Sequence, residues 1–409
     1  LENKIKERAA LQAELRDKIY NMQQKGFGYW YREIAGVPRA LLATADMSYL
    51  LRQGLIVSAG HPILAAKSFG KAFQAFFSKG NARLFDENLR NMDLHPTRLY
   101  YGLELSTMEG ALTEREESFA TTLLQKIIGI REIVGASERH MVTGLNHLRT
   151  GLFNDFISKH PEASEEAKFA YARYVNVATG RGELGQFNGA ATALSQAFFS
   201  PRFAVSRIQA PAYAINNMVK QPELRGEMAR QWLALAGTAT AVLALASANG
   251  ADVGDDPEDT DFGKFVIGNR RYDIFGGMVQ PIRLLMLMIK KNDSEYFQLI
   301  YDEKVKKDVR NEMFKFVEYK FNPILSLSHK LLFKEDPFTH QDINWSEDWK
   351  EQAWSFAPIV AQSLKDAYDQ EYNAMETASV FIPEFLGVGV GVYEKRNRTK
   401  KKANPPKYY

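Results

Sequence analysis

Residues 231–251 (QWLALAGTATAVLALASANGA) form a charge-free run of 21 residues, and this run constrains the fold more than any other feature. As a helix it would be about 30 Å long, enough for a bilayer, which needs ~20 residues. Its apolar content is thin. Only Leu233, Leu235, Val242, Leu243 and Leu245 are large aliphatic residues. At roughly −0.3 to −0.6 kcal/mol each they supply about −1.5 to −3 kcal/mol toward insertion. Gly237, Thr238, Thr240, Ser247 and Asn249 oppose that gain. Two readings therefore stand: a buried core helix, or a helix that meets a membrane conditionally. The candidate membrane or channel contacts are Trp232, Leu233, Leu235, Val242, Leu243 and Leu245. The small residues between them would let another helix approach closely in either setting. Two further apolar stretches, 278–289 and 380–392, are too short to span as helices; core packing is expected of them, with a place in a membrane interface as the alternative.

The remaining pattern is helical. Leu11, Leu15, Ile19 and Met22, spaced 4, 4 and 3 apart, share one face of a helix expected over 1–25. Thr113 with Glu116 has the spacing of a capping box. Phe119, Leu123, Ile127, Ile130 and Val134 follow at helical spacing, and a second helix is expected to start at Ser137 and carry Met141, Leu145 and Leu148. Further helices are expected from Ser164 toward Val177, over 184–199 and 204–218 with Pro201 between them, over 222–248 and over 293–318. One strand signal stands out. KFVI at 264–267, Gly268-Asn269, then RRYDI at 270–274 reads as a β-hairpin, because Gly-Asn tolerates the positive φ of a two-residue turn. Strands and helices do not alternate, which argues against a parallel sheet. The expected fold is mainly α, a multi-helix protein with a small β-hairpin insertion near 264–274. The expected divisions are an amphipathic helix (1–28), a helical domain (29–225), the apolar helix with an acidic loop and the hairpin (226–290), a C-terminal helical region (291–394) and a basic tail (395–409).

The 409 residues contain no cysteine, which excludes disulfides, thiolate zinc sites, iron–sulfur clusters and cysteine nucleophiles. The net charge of +3 divides unevenly. The tail 395–409 carries seven Lys/Arg and no acid, while the other 394 residues hold 45 bases and 49 acids. Lys395, Arg396, Arg398, Lys400, Lys401 and Lys402 are the candidate DNA contacts, and binding through them would be steeply salt-dependent. The first 25 residues are charged throughout, unlike a signal peptide, and the chain opens on Leu1. A processed product or a segment of a longer polypeptide is expected.

No catalytic constellation emerges. Residues 180–185 (GRGELG) match G-x-G-x-x-G, but a helical pattern precedes them where a dinucleotide site needs a strand. They read as a turn between helices, with Thr179 or Asn176 satisfying local backbone groups. Asp261-Phe262-Gly263 lacks the other kinase motifs. Asp252, Asp255, Asp256, Glu258, Asp259 and Asp261 form an acidic loop without calcium-site spacing, read as solvated. Of the seven histidines only His140 and His147 could share a helix face, too far apart for one metal, so surface or capping roles are expected. No enzyme activity, cofactor or metal is expected.

Several segments together carry a resemblance. They are DMSYLLRQG (46–54), ERHMVTGLNHLR (138–149), NVATGRG (176–182), FSPRF (199–203), DFGKFVIGNRRYDIFGG (261–277) and FLGVGV (385–390). In this order they are similar to a large polyvalent-protein-associated domain of tailed bacteriophages, over roughly residues 30–395. Many proteins with that domain resemble internal virion, or ejection, proteins. The resemblance implies a chain packaged in the capsid near the portal and delivered with the DNA into the host envelope, where it helps form a conduit for the genome. It implies contact with portal or other ejection proteins, phage double-stranded DNA and the host membrane, and a homo-oligomer, by analogy a ring. It supplies no catalytic residues. A structural module of a larger virion protein that never touches lipid is the alternative. An enzyme on nucleic acid or cell wall is a more distant one. Full enclosure of residues 231–250 by the chain's own helices would favour the structural module; an exposed apolar face would favour the ejection protein.

Overall fold

The computed structural model describes residues 47–106, 130–185, 200–256, 261–275, 278, 279, 282, 330–334, 342–354, 357 and 359–392. The helices expected over 1–25, 184–199 and 293–318, the Thr113–Glu116 capping box and the basic tail lie outside these residues, apart from 184 and 185. The described chain is mainly α-helical with one small antiparallel sheet.

The helices run as α1 (Tyr49–Arg52), α2 (Leu55–Gly60), α3 (Pro62–Phe77), α4 (Lys79–Arg90), α5 (His95–Tyr100), α6 (Ile130–Lys159), α7 (Glu165–Ala178), α8 (Pro201–Lys220) and α9 (Arg225–Ala248). Strands β1 (Asp252–Val253), β2 (Lys264–Ile267) and β3 (Arg270–Asp273) follow, then α10 (Trp345–Trp354), α11 (Ile359–Asp369), α12 (Ala374–Leu386) and β4 (Gly389–Val392). A short 3-10 turn, Pro222–Leu224, joins α8 to α9.

Helix α6 is the spine, about 45 Å long. It packs along α3, and its buried residues Leu148, Leu152, Phe153 and Phe156 meet Tyr171, Tyr174 and Val175 of α7 and Met228 of α9 in the main core. The helix start expected at Ser137 is corrected. Ser137 lies inside α6, and its hydroxyl donates to Ile133 O (3.0 Å) within the same helix, so it caps nothing. The cap expected at Ser164 is present: its hydroxyl accepts from Ala167 N (3.2 Å) and opens α7. Helix α8 starts at Pro201, three residues earlier than expected, with proline in the first turn where its missing N–H costs nothing.

The 180–185 motif begins as the turn expected. Gly180 (φ +94°) reverses the chain after α7, with Gly180 N donating to Val177 O and Arg181 N to Asn176 O. Thr179 Oγ1 donates to Val175 O (2.7 Å). Asn176 instead serves another segment: its Oδ1 accepts from Glu104 N and its Nδ2 donates to Gly102 O.

The hairpin is present in the expected register, with Phe265 opposite Tyr272 and Gly268-Asn269 at the turn. The two rings stack at 4.8 Å. The sheet is larger than the hairpin, because β1 and β4 complete the order β1-β2-β3-β4. The Gly-Val-Gly-Val run therefore pairs as an edge strand rather than as simple core packing. Buried Glu384 secures it, accepting from Val390 N (2.7 Å) and pairing with Arg52 (2.7 Å), which ties α12 and β4 to α1. A second core, of Leu55, Ile56, Val177, Ala210, Leu235, Ala239, Phe275, Met278 and Val279, joins α2, α7, α8, α9 and the chain after β3. Residues on both sides of the 225/226 division thus share both cores.

Candidate functional site

Helix α9 changes character along its length. Its first two turns are polar and held. Glu227 Oε1 meets His61 Nε2 (2.5 Å) and accepts from Gln231 Nε2 (2.6 Å), while Arg230 Nη2 donates to Glu227 Oε2 (2.8 Å). Tyr174 donates to Gln231 Oε1 (3.0 Å) from the core side. Burial pushes the Glu227 carboxyl up, but the hydrogen bonds from His61 and Gln231 and the neighbouring His61 and Arg230 charges outweigh it and bring it down to about 2. Gly60 of α2 lies against this base, where a Cβ would stand 2.8 Å from Gln231 Cα, so the two helices approach at backbone distance.

Beyond Gln231 the helix has no charged side chain and little cover. Of the candidate contacts, Leu235 is buried in the second core and Trp232 packs against both cores. Leu243 is half-buried. Leu233 (71% exposed), Leu245 (67%) and Val242 (37%) face outward. Ala236, Gly237, Thr240, Ala241, Ala244 and Ala248 are exposed too. Only 17% of the most apolar 18-residue window of the helix is buried, far from the enclosure a core helix requires. Among the described residues this is one helix long and apolar enough to cross a membrane.

No family model, curated protein or solved structure matches the chain.

The remaining candidates divide. Lys395, Arg396, Arg398, Lys400, Lys401 and Lys402 lie outside the described residues. Of the residues expected in a solvated acidic loop, Asp255 and Asp256 are exposed, but Asp252 stands in β1 opposite Val266 and Asp261 pairs with Arg271 (3.0 Å) beside the hairpin. The surface or capping role expected of the histidines is corrected at two of them. His61 is buried in the knot beneath α9, and His140 is fully buried among the rings of Tyr49, Phe69 and Phe76. His147 is half-buried; burial, then the charges of Lys71 and Lys67, bring it down to about 4. Among the described residues no three His, Asp or Glu side chains stand together as metal ligands.

The segments around Ser48–Gly54, Gly144–Arg149, Thr179–Gly182 and Arg202–Phe203 converge. Ser48 to Gly54 packs on α6 at Gly144 and Leu148, Gly180 sits against Gln53 and Phe203, and Gly182 N donates to Arg202 O (3.1 Å). Arg149 of α6 donates to Thr179 Oγ1 (2.7 Å) and Thr179 O (3.0 Å). These residues hold helices together, and Arg181 and Arg202 both reach Glu104 beside them (3.0 and 3.6 Å). Sequence reading missed the knot. Glu227, Arg230 and Gln231 share a helix face at i, i+3 and i+4, but their partner His61 lies 166 residues before Glu227.

Proposed function

We propose that this chain is a phage internal virion protein, an ejection protein without a bond-making centre of its own. It is packaged near the portal and delivered with the DNA into the host envelope, where it helps form the genome conduit. One observation carries the reading: the outward face of α9 is apolar and uncovered among the described residues. The portal, other ejection proteins and further copies of the chain are the protein partners that follow. Phage DNA is assigned to Lys395, Arg396, Arg398, Lys400, Lys401 and Lys402.

The folded chain supports lateral contact rather than threading. Passing α9 through a bilayer tip first would carry Asp252, Asp255 and Asp256 through the apolar core. While they cross, at about 2.5 to 3.5 kcal/mol each, they raise a barrier of roughly 7.5 to 10.5 kcal/mol, whereas the aliphatic residues gain roughly 3 kcal/mol at most. It would also withdraw Leu235 and Ala239 from the second core. Laying Leu233, Val242 and Leu245 against lipid or a conduit wall avoids both costs.

Liposome flotation of the purified chain tests the reading. Association is expected, and Leu233→Glu with Leu245→Glu should abolish it while the helical circular dichroism stays unchanged. No association at any pH or lipid composition overturns it.

A further inference from the structure

One face of α6 carries polar groups that the fold leaves unanswered. Thr143, His147 and Thr150 follow at spacings of 4 and 3, so they share that face. Thr143 is 4% exposed and Thr150 2%, and neither their Oγ1 atoms nor His147 Nδ1 has a hydrogen-bond partner among the described residues. A buried hydroxyl in this state is destabilising, and two of them beside an imidazole call for an occupant. Helix α3 packs along α6, and the charges of its Lys71 and Lys67 are felt at His147. Lys71 Nζ also stands 5.5 Å from the ring centre of Phe85 in α4, so α3, α4 and α6 bound one crevice, with exposed Lys67 at its rim. Neither lysine has a carboxylate partner among the described residues. Asp86 of α4 is already paired with Arg90 (2.8 Å). Fully buried Arg98 of α5 donates to Asn154 (2.9 Å), one turn beyond Thr150 on the same face of α6.

We propose that this crevice is an anion site for a phosphate-class ligand. Each group turned to it is a donor: two ammonium groups, two hydroxyls and, once Nδ1 carries a proton, the imidazole. Such a set matches an anion with several acceptor oxygens and no donor. The lysine charges oppose a proton on His147; a polyanion between them reverses that field, so the ligand is taken up together with a proton. Spacing sets the size. Thr143 and Thr150 stand about 10 Å apart along the helix. A hydrogen bond of about 2.8 Å at each end leaves roughly 5 Å to be bridged, more than one phosphate group covers and suited to a diphosphate. The site is independent of the α9 face, and neither reading stands or falls with the other.

Isothermal titration calorimetry of the full chain at pH 6 with pyrophosphate, orthophosphate and ADP tests the site. Pyrophosphate is expected to bind more tightly than orthophosphate. Its dissociation constant should rise about tenfold or more in Lys67→Gln with Lys71→Gln, both changed outside the core. Thr143→Val and Thr150→Val keep the shape and remove an unanswered hydroxyl. Each is therefore expected to raise the thermal midpoint of the chain without ligand while weakening pyrophosphate binding, a pairing of effects that a merely structural hydroxyl would not give. In proton NMR the His147 ring, assigned by its loss in His147→Gln, should titrate near pH 4 in the chain alone and at least about one pH unit higher with pyrophosphate. ADP binding at least as tightly as pyrophosphate makes the ligand a nucleotide, and weaker ADP binding makes it a free anion; both support the site. A natively folded wild-type chain that binds neither pyrophosphate nor orthophosphate overturns it. So does binding that the paired lysine substitutions leave unchanged, a lower thermal midpoint in both valine variants, or a His147 titration that pyrophosphate does not move.

Discussion

The two long helices α6 and α9 invert the usual relation between composition and burial. Helix α6 carries Arg139, His140, Asn146 and Arg149, and three of these are buried. Asn146 answers both backbone groups of Ser106 (2.8 and 2.9 Å), Arg139 donates to Ala75 O and Phe76 O (3.0 Å each), and Arg149 is held by Thr179. The upper part of α9 has no charge to satisfy and is left facing outward. Burial follows the partners a helix finds, not its mean hydropathy. A polar helix whose Asn146, Arg139 and Arg149 are answered makes a spine, and an apolar helix with no covering element among the described residues makes a surface.

Substitutions separate the two helices by size of effect. Phe153→Ala in α6 empties a fully buried site and is expected to cost about 3 to 5 kcal/mol in urea unfolding. If it costs as little as a surface change, α6 is not the spine. Glu227→Ala removes the acceptor shared by His61, Arg230 and Gln231 at the base of α9. About 2 to 3 kcal/mol is expected, below the full value for a buried pair because Arg230 is 45% exposed. The carboxyl, at about 2 in the fold and 4.5 when free, contributes stability above pH 4.5 that disappears as pH falls toward 2. Denaturant midpoints of the wild type and Glu227→Ala should therefore converge across that window.

His147 acts at higher pH. Its ring is lowered from 6.5 to about 4, so the unfolded chain binds the proton first. The contribution is full above pH 6.5 and lost as pH falls to 4, about 1 to 2 kcal/mol after allowance for solvent screening. His147→Gln should flatten the midpoint-against-pH curve there; an unchanged curve would remove the histidine from the account. The smallest effect has the opposite sign. Gly237→Ala, in open space on α9, is expected to raise stability by up to about 1 kcal/mol in thermal unfolding at monomeric dilution. A loss instead would mean that the face is covered.

What could be read from the sequence was local. Gly268-Asn269 specified the hairpin turn and Ser164 specified a helix start, because each acts on backbone within a few residues, whereas Pro222 opens a 3-10 turn and α9 begins three residues after it, at Arg225. What could not be read was partnership over distance. Ser137 has the composition of a cap, but its neighbours continue the helix on both sides. Val390 pairs with Tyr272, 118 positions away, so the Gly-Val-Gly-Val run gave no sign of its sheet. The apolar run at 231–251 was equally compatible with a core, and only the placement of α2 and α8 on one side of it shows which residues remain outside. His61 shows the same limit, since nothing around it in the sequence points to Glu227.

The central claim is that the outward face of α9, uncovered among the described residues, is covered by an apolar partner in use. A solvent-sensitive fluorophore on the sole thiol of Ala244→Cys tests this directly. At monomeric dilution the emission should be that of a water-exposed probe; with liposomes it should shift to the blue and be quenched by brominated acyl chains. A probe already shielded in the dilute monomer, or one that no lipid alters, would contradict the claim.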